Sequence, residues 1–281
     1  MRKLKKPTDR VEDVFLDCIS NIESSDFKKK LQSCISEISC ATEEFEIKVE
    51  TNQLHTIRKM NTIAGIVTKD EMCKVYTDKM AKKSAPGRKY YDTYMALPKN
   101  GICPLCGQRV VSTLDHYLPK KKYPTLAVTP SNLVPACKDC NKDKGEKEFE
   151  NSAQETVHPY FDDIESDVWL YAKIIEENEV AFTFYVQKPE SWTDTMYQRV
   201  KNHFSMFKLK ALYGSHSAEE ISSLKGLLTK LYKRTGSNGV SDQLKEYYES
   251  NKEVHLNSWK TAMYRALYKS KWFCEEWIEK Q

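Results

Sequence analysis

Two Cys-x-x-Cys pairs, Cys103/Cys106 and Cys137/Cys140, constrain this chain more than any other feature. A two-residue gap lets both sulfurs of a pair reach one ion from a tight turn, and tetrahedral zinc takes thiolates. Each pair carries its own turn residues, Pro104 and Gly107 around the first and Asn141 directly after the second. One such pair among nine cysteines is weak evidence. Two of them flanking Asp115-His116-Tyr117-Leu118-Pro119 are far more specific. The expectation is a structural four-cysteine zinc site, with buried free thiols as the plainer alternative. Cys18, Cys34, Cys40, Cys73 and Cys274 are scattered through apolar helical patterns. The odd total, with no secretory signal, predicts free thiols in a reducing, cytoplasmic compartment.

The polar residues between the pairs need another explanation. Residues 110–114 read as a strand that ends at Asp115 and His116, and Asn132-Leu133-Val134 as the returning strand. A polar helix then begins near Lys138, with Asn141 in its first turn. A carboxylate, an imidazole and an amide oxygen can thus converge at one strand–strand–helix junction. Lys120, Lys121 and Lys122 follow the Asp-His strand, and Lys142 and Lys144 flank Asn141. Most charge runs are merely solvated. These are placed where a nucleic-acid backbone must pass, so phosphate contact is the expectation.

Over about residues 101–150 the pattern resembles the HNH (ββα-metal, His-Me finger) endonucleases, whose motif runs Asp/His-His, then Asn, then Asn/His. The resemblance implies Asp115 as first ligand of a catalytic metal and His116 as general base. It implies Asn132 as the brace of the inter-strand loop and Asn141 as second ligand, where many members carry histidine. Two hard oxygen ligands favour Mg²⁺ or Mn²⁺ over a second zinc. The activity implied is metal-dependent hydrolysis of a phosphodiester bond, foremost in DNA. Rival readings are an RNA or tRNA nuclease and a non-cleaving zinc-knuckle binder, although a pure binder needs no base beside a metal. A finer likeness rests on Leu114-Asp115-His116-Tyr117-Leu118-Pro119, Tyr123-Pro124, Leu126-Ala127-Val128, Asn132-Leu133-Val134-Pro135 and His158-Pro159-Tyr160-Phe161-Asp162. These are similar to a bacterial anti-phage subgroup that includes the HNH subunit of Septu-type, sometimes retron-linked systems. That likeness implies an ABC-type ATPase partner and, with its position just past the module, a supporting active-site role for His158.

The remainder predicts a mainly helical α+β chain. Only 9 glycines in 281 residues, with 40% apolar and 30% charged side chains, suit helices around a sizeable core. A net charge of +4 does not by itself announce a nucleic-acid binder. No run approaches the ~18 apolar residues of a membrane-spanning helix. Apolar spacing predicts one helix over residues 11–22, capped by Thr8 or Asp9, and a second over 27–38, together a helical hairpin. Residues 52–66 look irregular. A Thr68/Glu71 capping box opens a helix to about Lys82, and another helix follows Pro86-Gly87. Residues 169–175 and 180–186 predict a hairpin turning over 176–179. A Ser217/Glu220 box opens a helix ending before Gly236, and residues 257–278 hold aromatics suited to a core or a partner surface. Three regions result: helical 1–98, the zinc-stabilised ββα module 99–162, and a hairpin with helices over 163–281.

Overall fold

A computed structural model of the chain describes residues 1–177 and 179–281. The fold is α+β and mainly helical, with three two-stranded sheets among the described residues. It divides into two compact units, Arg2–Asp163 and Ile164–Gln281, with Met1 joining the latter.

In the first unit, α1 (Val11–Cys18) buries Val11, Val14, Phe15 and Cys18. The expected Thr8 or Asp9 cap is not made; Arg10 holds the N-cap position without a side-chain bond. Asp9 instead accepts a hydrogen bond from Tyr94 Oη at 3.0 Å. The single helix expected over 27–38 is two, α2 (Ser25–Gln32) and α3 (Ile35–Glu50). The break falls at Ser33, whose hydroxyl donates to the Lys30 carbonyl at 2.8 Å and so competes with the helical ladder. At the end of the stretch read as irregular, β1 (Thr62–Ile63) pairs with β2 (Val67–Thr68), just beyond it, across a turn at Ala64 and Gly65, both at positive φ. Then α4 (Lys69–Tyr76) opens with the expected box: Glu71 N donates to Thr68 Oγ1 and Thr68 N to the Glu71 carboxylate. It widens into a π-turn, Thr77–Ala81, before α5 (Arg88–Met95). Gly87 is required there, because a Cβ would stand 2.4 Å from Cys18 Sγ.

The module follows: β3 (Thr113–His116), β4 (Leu133–Ala136) and α6 (Lys138–Lys144). The strands are antiparallel, with Thr113 opposite Ala136 and His116 opposite Leu133. The first strand starts later than the sequence suggested, because Val110 is bridged to Ile102 within the cysteine turn. Residues 1–98, read as a separate region, share one core with the module. Phe15, Ile38, Met72, Val75 and Tyr94 pack in one cluster with Leu114, Ala127, Val128 and Leu133. A four-residue hairpin has too little apolar surface to order itself, and the helices supply the missing wall.

In the second unit, β5 (Leu170–Ile175) pairs with β6 (Ala181–Val186) as an antiparallel hairpin. Its expected turn over 176–179 includes Asn178, which lies outside the described residues. Three helices follow: α7 (Asp194–Met206), α8 (Leu209–Val254) and α9 (Trp259–Tyr268). The Ser217/Glu220 cap is corrected by the structure. Ser217 is interior to α8 and donates to the Tyr213 carbonyl at 2.8 Å. Glu220 instead accepts from Lys260 Nζ at 2.9 Å. A break at Gly236, with φ of 69°, interrupts α8 where the helix was expected to end. The late aromatics Trp259, Tyr264, Phe273 and Trp277 are buried as core. Among the described residues, no helix is long and apolar enough to cross a membrane.

Candidate active site and metal centre

The four sulfurs of Cys103, Cys106, Cys137 and Cys140 are buried and all lie within 4.8 Å of one another. The backbone points at one sulfur in each pair, that of the second cysteine in the first pair and of the first cysteine in the second. Arg109 N points at Cys106 Sγ and Cys140 N at Cys137 Sγ, each at 3.4 Å, and Gly107 N donates to the Cys103 carbonyl at 2.8 Å. Gly107 takes a φ of 65°, open to glycine at little cost. Hydrogen bonds from the other three thiols pull Cys106 far below the ordinary thiol range. Contacts with their neighbours push Cys103 and Cys140 up. Four buried sulfurs gathered this closely fit a tetrahedral zinc ion, which would take them as thiolates.

Beside this cluster, β3, α4 and α6 enclose a cavity of about 400 Å³ lined by Asp115, His116, Asn141, Tyr76 and Lys120, among others. His116 is 6% exposed, and its Nε2 lies 2.9 Å from the Ala127 carbonyl. A carbonyl only accepts, so Nε2 carries the hydrogen and Nδ1 keeps a lone pair. Burial, then the Lys120 ammonium, pushes His116 down to about 3, with the Ala127 bond opposing. The imidazole is therefore neutral at ordinary pH. Tyr76 of α4 sets its ring edge-on to the imidazole, centroids 4.4 Å apart, and its hydroxyl donates to the Leu114 carbonyl at 3.2 Å.

Asp115 is equally buried, and burial pushes its carboxyl up from the ordinary range while Lys144 opposes this. Lys144, read from the sequence as a phosphate contact, is 2% exposed and turned beneath the hairpin. Its ammonium lies 3.0 and 3.3 Å from the two Asp115 oxygens and 2.6 Å from the His116 carbonyl. That position corrects the sequence reading: Lys144 holds the Asp115 side chain and the His116 backbone carbonyl rather than a phosphate. Asn141 and Asp115 share the cavity, so two hard oxygen donors suited to Mg²⁺ or Mn²⁺ face one space.

Asn132 lies behind the wall, fully buried. Its Oδ1 accepts from Leu118 N at 2.7 Å, and its Nδ2 donates to the Leu118 and Leu126 carbonyls at 3.1 and 3.0 Å. One side chain thus ties both ends of the loop that presents the Ala127 carbonyl to His116. His158 does not line the cavity; it sits in an aromatic cluster, 4.3 Å from the Tyr117 ring and 4.9 Å from Phe161. Lys120, Lys121 and Lys142 line the cavity, whereas Lys122 is drawn aside by Glu148 at 2.8 Å. Lys121 pairs with Glu146 at 2.7 Å across exposed surface, a bond a phosphate can displace. Tyr76 and Glu146 are cavity residues that sequence reasoning missed. Tyr76 carried only the signal of an apolar helix face, four residues after Met72.

Residues 103–147 match the HNH endonuclease family, and this stretch is an HNH endonuclease domain bearing a four-cysteine cluster. Over nearly its whole length the chain is similar to protein ea31 of Escherichia phage lambda. The two are 28% identical over 294 residues, covering 97% of this chain and 99% of that protein. No solved structure matches the chain.

Proposed function

We propose that the chain is a metal-dependent endonuclease that hydrolyses phosphodiester bonds in DNA, with His116 as general base. The observation that carries this reading is the His116 imidazole. It is tied through Nε2 to Ala127, is neutral, and lines one cavity with Asp115 and Asn141. His116 Nδ1 takes a proton from a water positioned for attack on phosphorus. Asp115 and Asn141 would hold a divalent catalytic ion, which would supply Lewis acidity for phosphodiester hydrolysis. Lys120 and Lys142 steady the phosphates on either side, and Lys121 joins them once Glu146 releases it. Asn132 and Tyr76 act through His116, one fixing the loop that orients it and the other walling its ring. The cysteine cluster with zinc holds the knuckle and takes no part in the chemistry.

The finer reading is a nuclease effector of an anti-phage system with an ABC-type ATPase partner, supported by the Leu114–Pro119 and His158–Asp162 motifs. Single-turnover cleavage of plasmid, single-stranded DNA and total RNA with Mg²⁺ or Mn²⁺ tests the activity and the target together. No cleavage of any of them by zinc-loaded protein would sink the nuclease reading. Preferential RNA cleavage would replace DNA as target. Co-purification from the native host tests the ATPase, and a chain recovered without one counts against it.

A further inference from the structure

Past the end of α6, Glu146 and Glu148 both turn to the lysine loop that follows β3. At the cavity rim, Lys121 lies 2.7 Å from Glu146. One step farther out, the Glu148 carboxylate is shared: Lys122 Nζ lies 2.8 Å from one oxygen and Lys59 Nζ 2.9 Å from the other. Lys122 Nζ also donates to the Glu146 carbonyl at 3.3 Å. Lys59 is carried there by the backbone, because Met60 N donates to the Lys122 carbonyl at 3.1 Å and fixes the two loops side by side. Lys121 and Glu146 line the cavity, and Lys122, Glu148 and Lys59 lie beyond its lining. The row of lysines therefore starts at the rim and leads away from it.

These pairs do little for the fold. The side chains of Lys59 and Lys121 are more than half exposed, and exposed ion pairs contribute little to stability. Lys121 holds Glu146 below the ordinary carboxyl range, and Lys122, then Lys59, does the same to Glu148, so both are charged at ordinary pH. Their chemistry matches that of a nucleic-acid strand: anions in succession along one chain, each presenting oxygens to ammonium groups. Three lysines facing two carboxylates leave one surplus positive charge, and the same lysines freed carry three. A phosphate accepts the same charge-assisted bonds from lysine as a carboxylate does. A polymer that docks one phosphate in the cavity brings its neighbours to Lys122 and Lys59 at high effective concentration.

We propose that Lys122 and Lys59 form a second phosphate subsite outside the cavity, and that Glu146 and Glu148 occupy the lysine row as a stand-in for substrate phosphates until a strand displaces them. The subsite rests on the reading that a nucleic acid enters the cavity, and adds what the substrate must have: enough backbone to reach past the rim. A fragment confined to the cavity cannot displace Glu148 and is selected against.

The test measures binding of a labelled long DNA duplex to the full zinc-loaded chain across a salt series without magnesium or manganese, and then cleavage with them. Glu146→Gln with Glu148→Gln is expected to bind at least about threefold tighter than wild type. Glu23→Gln with Glu50→Gln makes the same change of charge at exposed positions elsewhere in the first unit and should bind close to wild type. Lys59→Met should weaken binding and lower the salt slope by about one, a readout that a merely structural role would not move. Should the double glutamine variant not hold zinc, Glu146→Gln alone must tighten binding. Unchanged affinity in the glutamine variant, an equal gain in the control, or an unchanged salt slope in Lys59→Met each overturns the proposal. Tighter binding by the glutamine variant with no cleavage by wild type keeps the subsite and removes the nuclease reading. Cleavage by wild type with no such gain keeps that reading and removes the subsite.

Discussion

Lys144→Met is the substitution on which the architecture of the site turns. Methionine keeps most of the side chain's length and removes the ammonium. Behind it, the Asp115 carboxylate loses the cation 3.0 Å from Oδ2, and the His116 carbonyl loses its donor at 2.6 Å. With Lys144 only 2% exposed, water cannot replace those bonds in place. Removing one partner of a buried ion pair costs about 3–5 kcal/mol. At roughly 2–4 °C per kcal/mol for a unit of this size, the first unit should melt about 6–20 °C lower. Removing both charges with Asp115→Asn/Lys144→Met should cost much less than the two single losses added together, by about 2 kcal/mol or more. The assay can read each unit separately. All five tryptophans lie at position 169 or beyond, so their fluorescence reports the second unit and should not move. Zinc released on heating, followed with a chromophoric chelator in magnesium-free buffer, reports the first. If Lys144→Met releases zinc within about 2 °C of wild type, or the double variant is worse than the sum of the singles, the reasoning is refuted.

Four further outcomes are expected. His116→Ala should lower single-turnover cleavage by about 10²–10⁴-fold and, by stranding the Ala127 carbonyl, destabilise the first unit by about 1–3 kcal/mol; wild-type cleavage would remove it as the base. Cys137→Ser should leave the purified chain without stoichiometric zinc by elemental analysis, with a first unit sensitive to protease, since structural zinc contributes on the order of 10 kcal/mol in small modules. Asn132→Asp keeps the shape but sets a carboxylate against the Leu118 and Leu126 carbonyls, so zinc release should shift down by about 1–3 kcal/mol; an unchanged melt counts against its bracing role. Tyr76→Phe should cleave nearly as wild type, whereas Tyr76→Ala should lose about tenfold or more as His116 loses its wall, and equal rates for the two would show that the ring does not matter.

What the sequence revealed was chemistry carried by close neighbours. Two cysteine pairs, an adjacent Asp-His, and an asparagine at the start of a helix announce a site because spacing alone sets their reach. The box at Thr68 and Glu71 was readable for the same reason. Burial was not. His116, at the end of a short strand, reads as expendable to folding, yet it is enclosed by Tyr76 from a helix forty residues earlier. Lys144 looks like Lys142, two positions away on the same helix; only the closed hairpin shows one beneath Asp115 and the other in solvent. Ser217 and Glu220 form a convincing cap signature, but the helix had already begun at Leu209, and an interior serine turns its hydroxyl to its own ladder.

The bonds that close the first unit also set an order of events during synthesis. The hairpin and its helix are complete once Lys144 has been made, but Tyr117 Oη waits for the Thr156 carbonyl, and the Leu133 carbonyl waits for Tyr160 Oη. Arg2 N bonds to the Pro104 carbonyl and Leu4 N to that of Pro159, so the earliest residues are fastened by some of the latest. A growing chain therefore presents an unfinished candidate site until residues past Tyr160 leave the ribosome, and completion arrives as one late step. Nascent chains arrested just after Lys144 should stay open to protease, and those arrested well beyond Asp163 should resist it; equal resistance would mean the site ripens piecemeal.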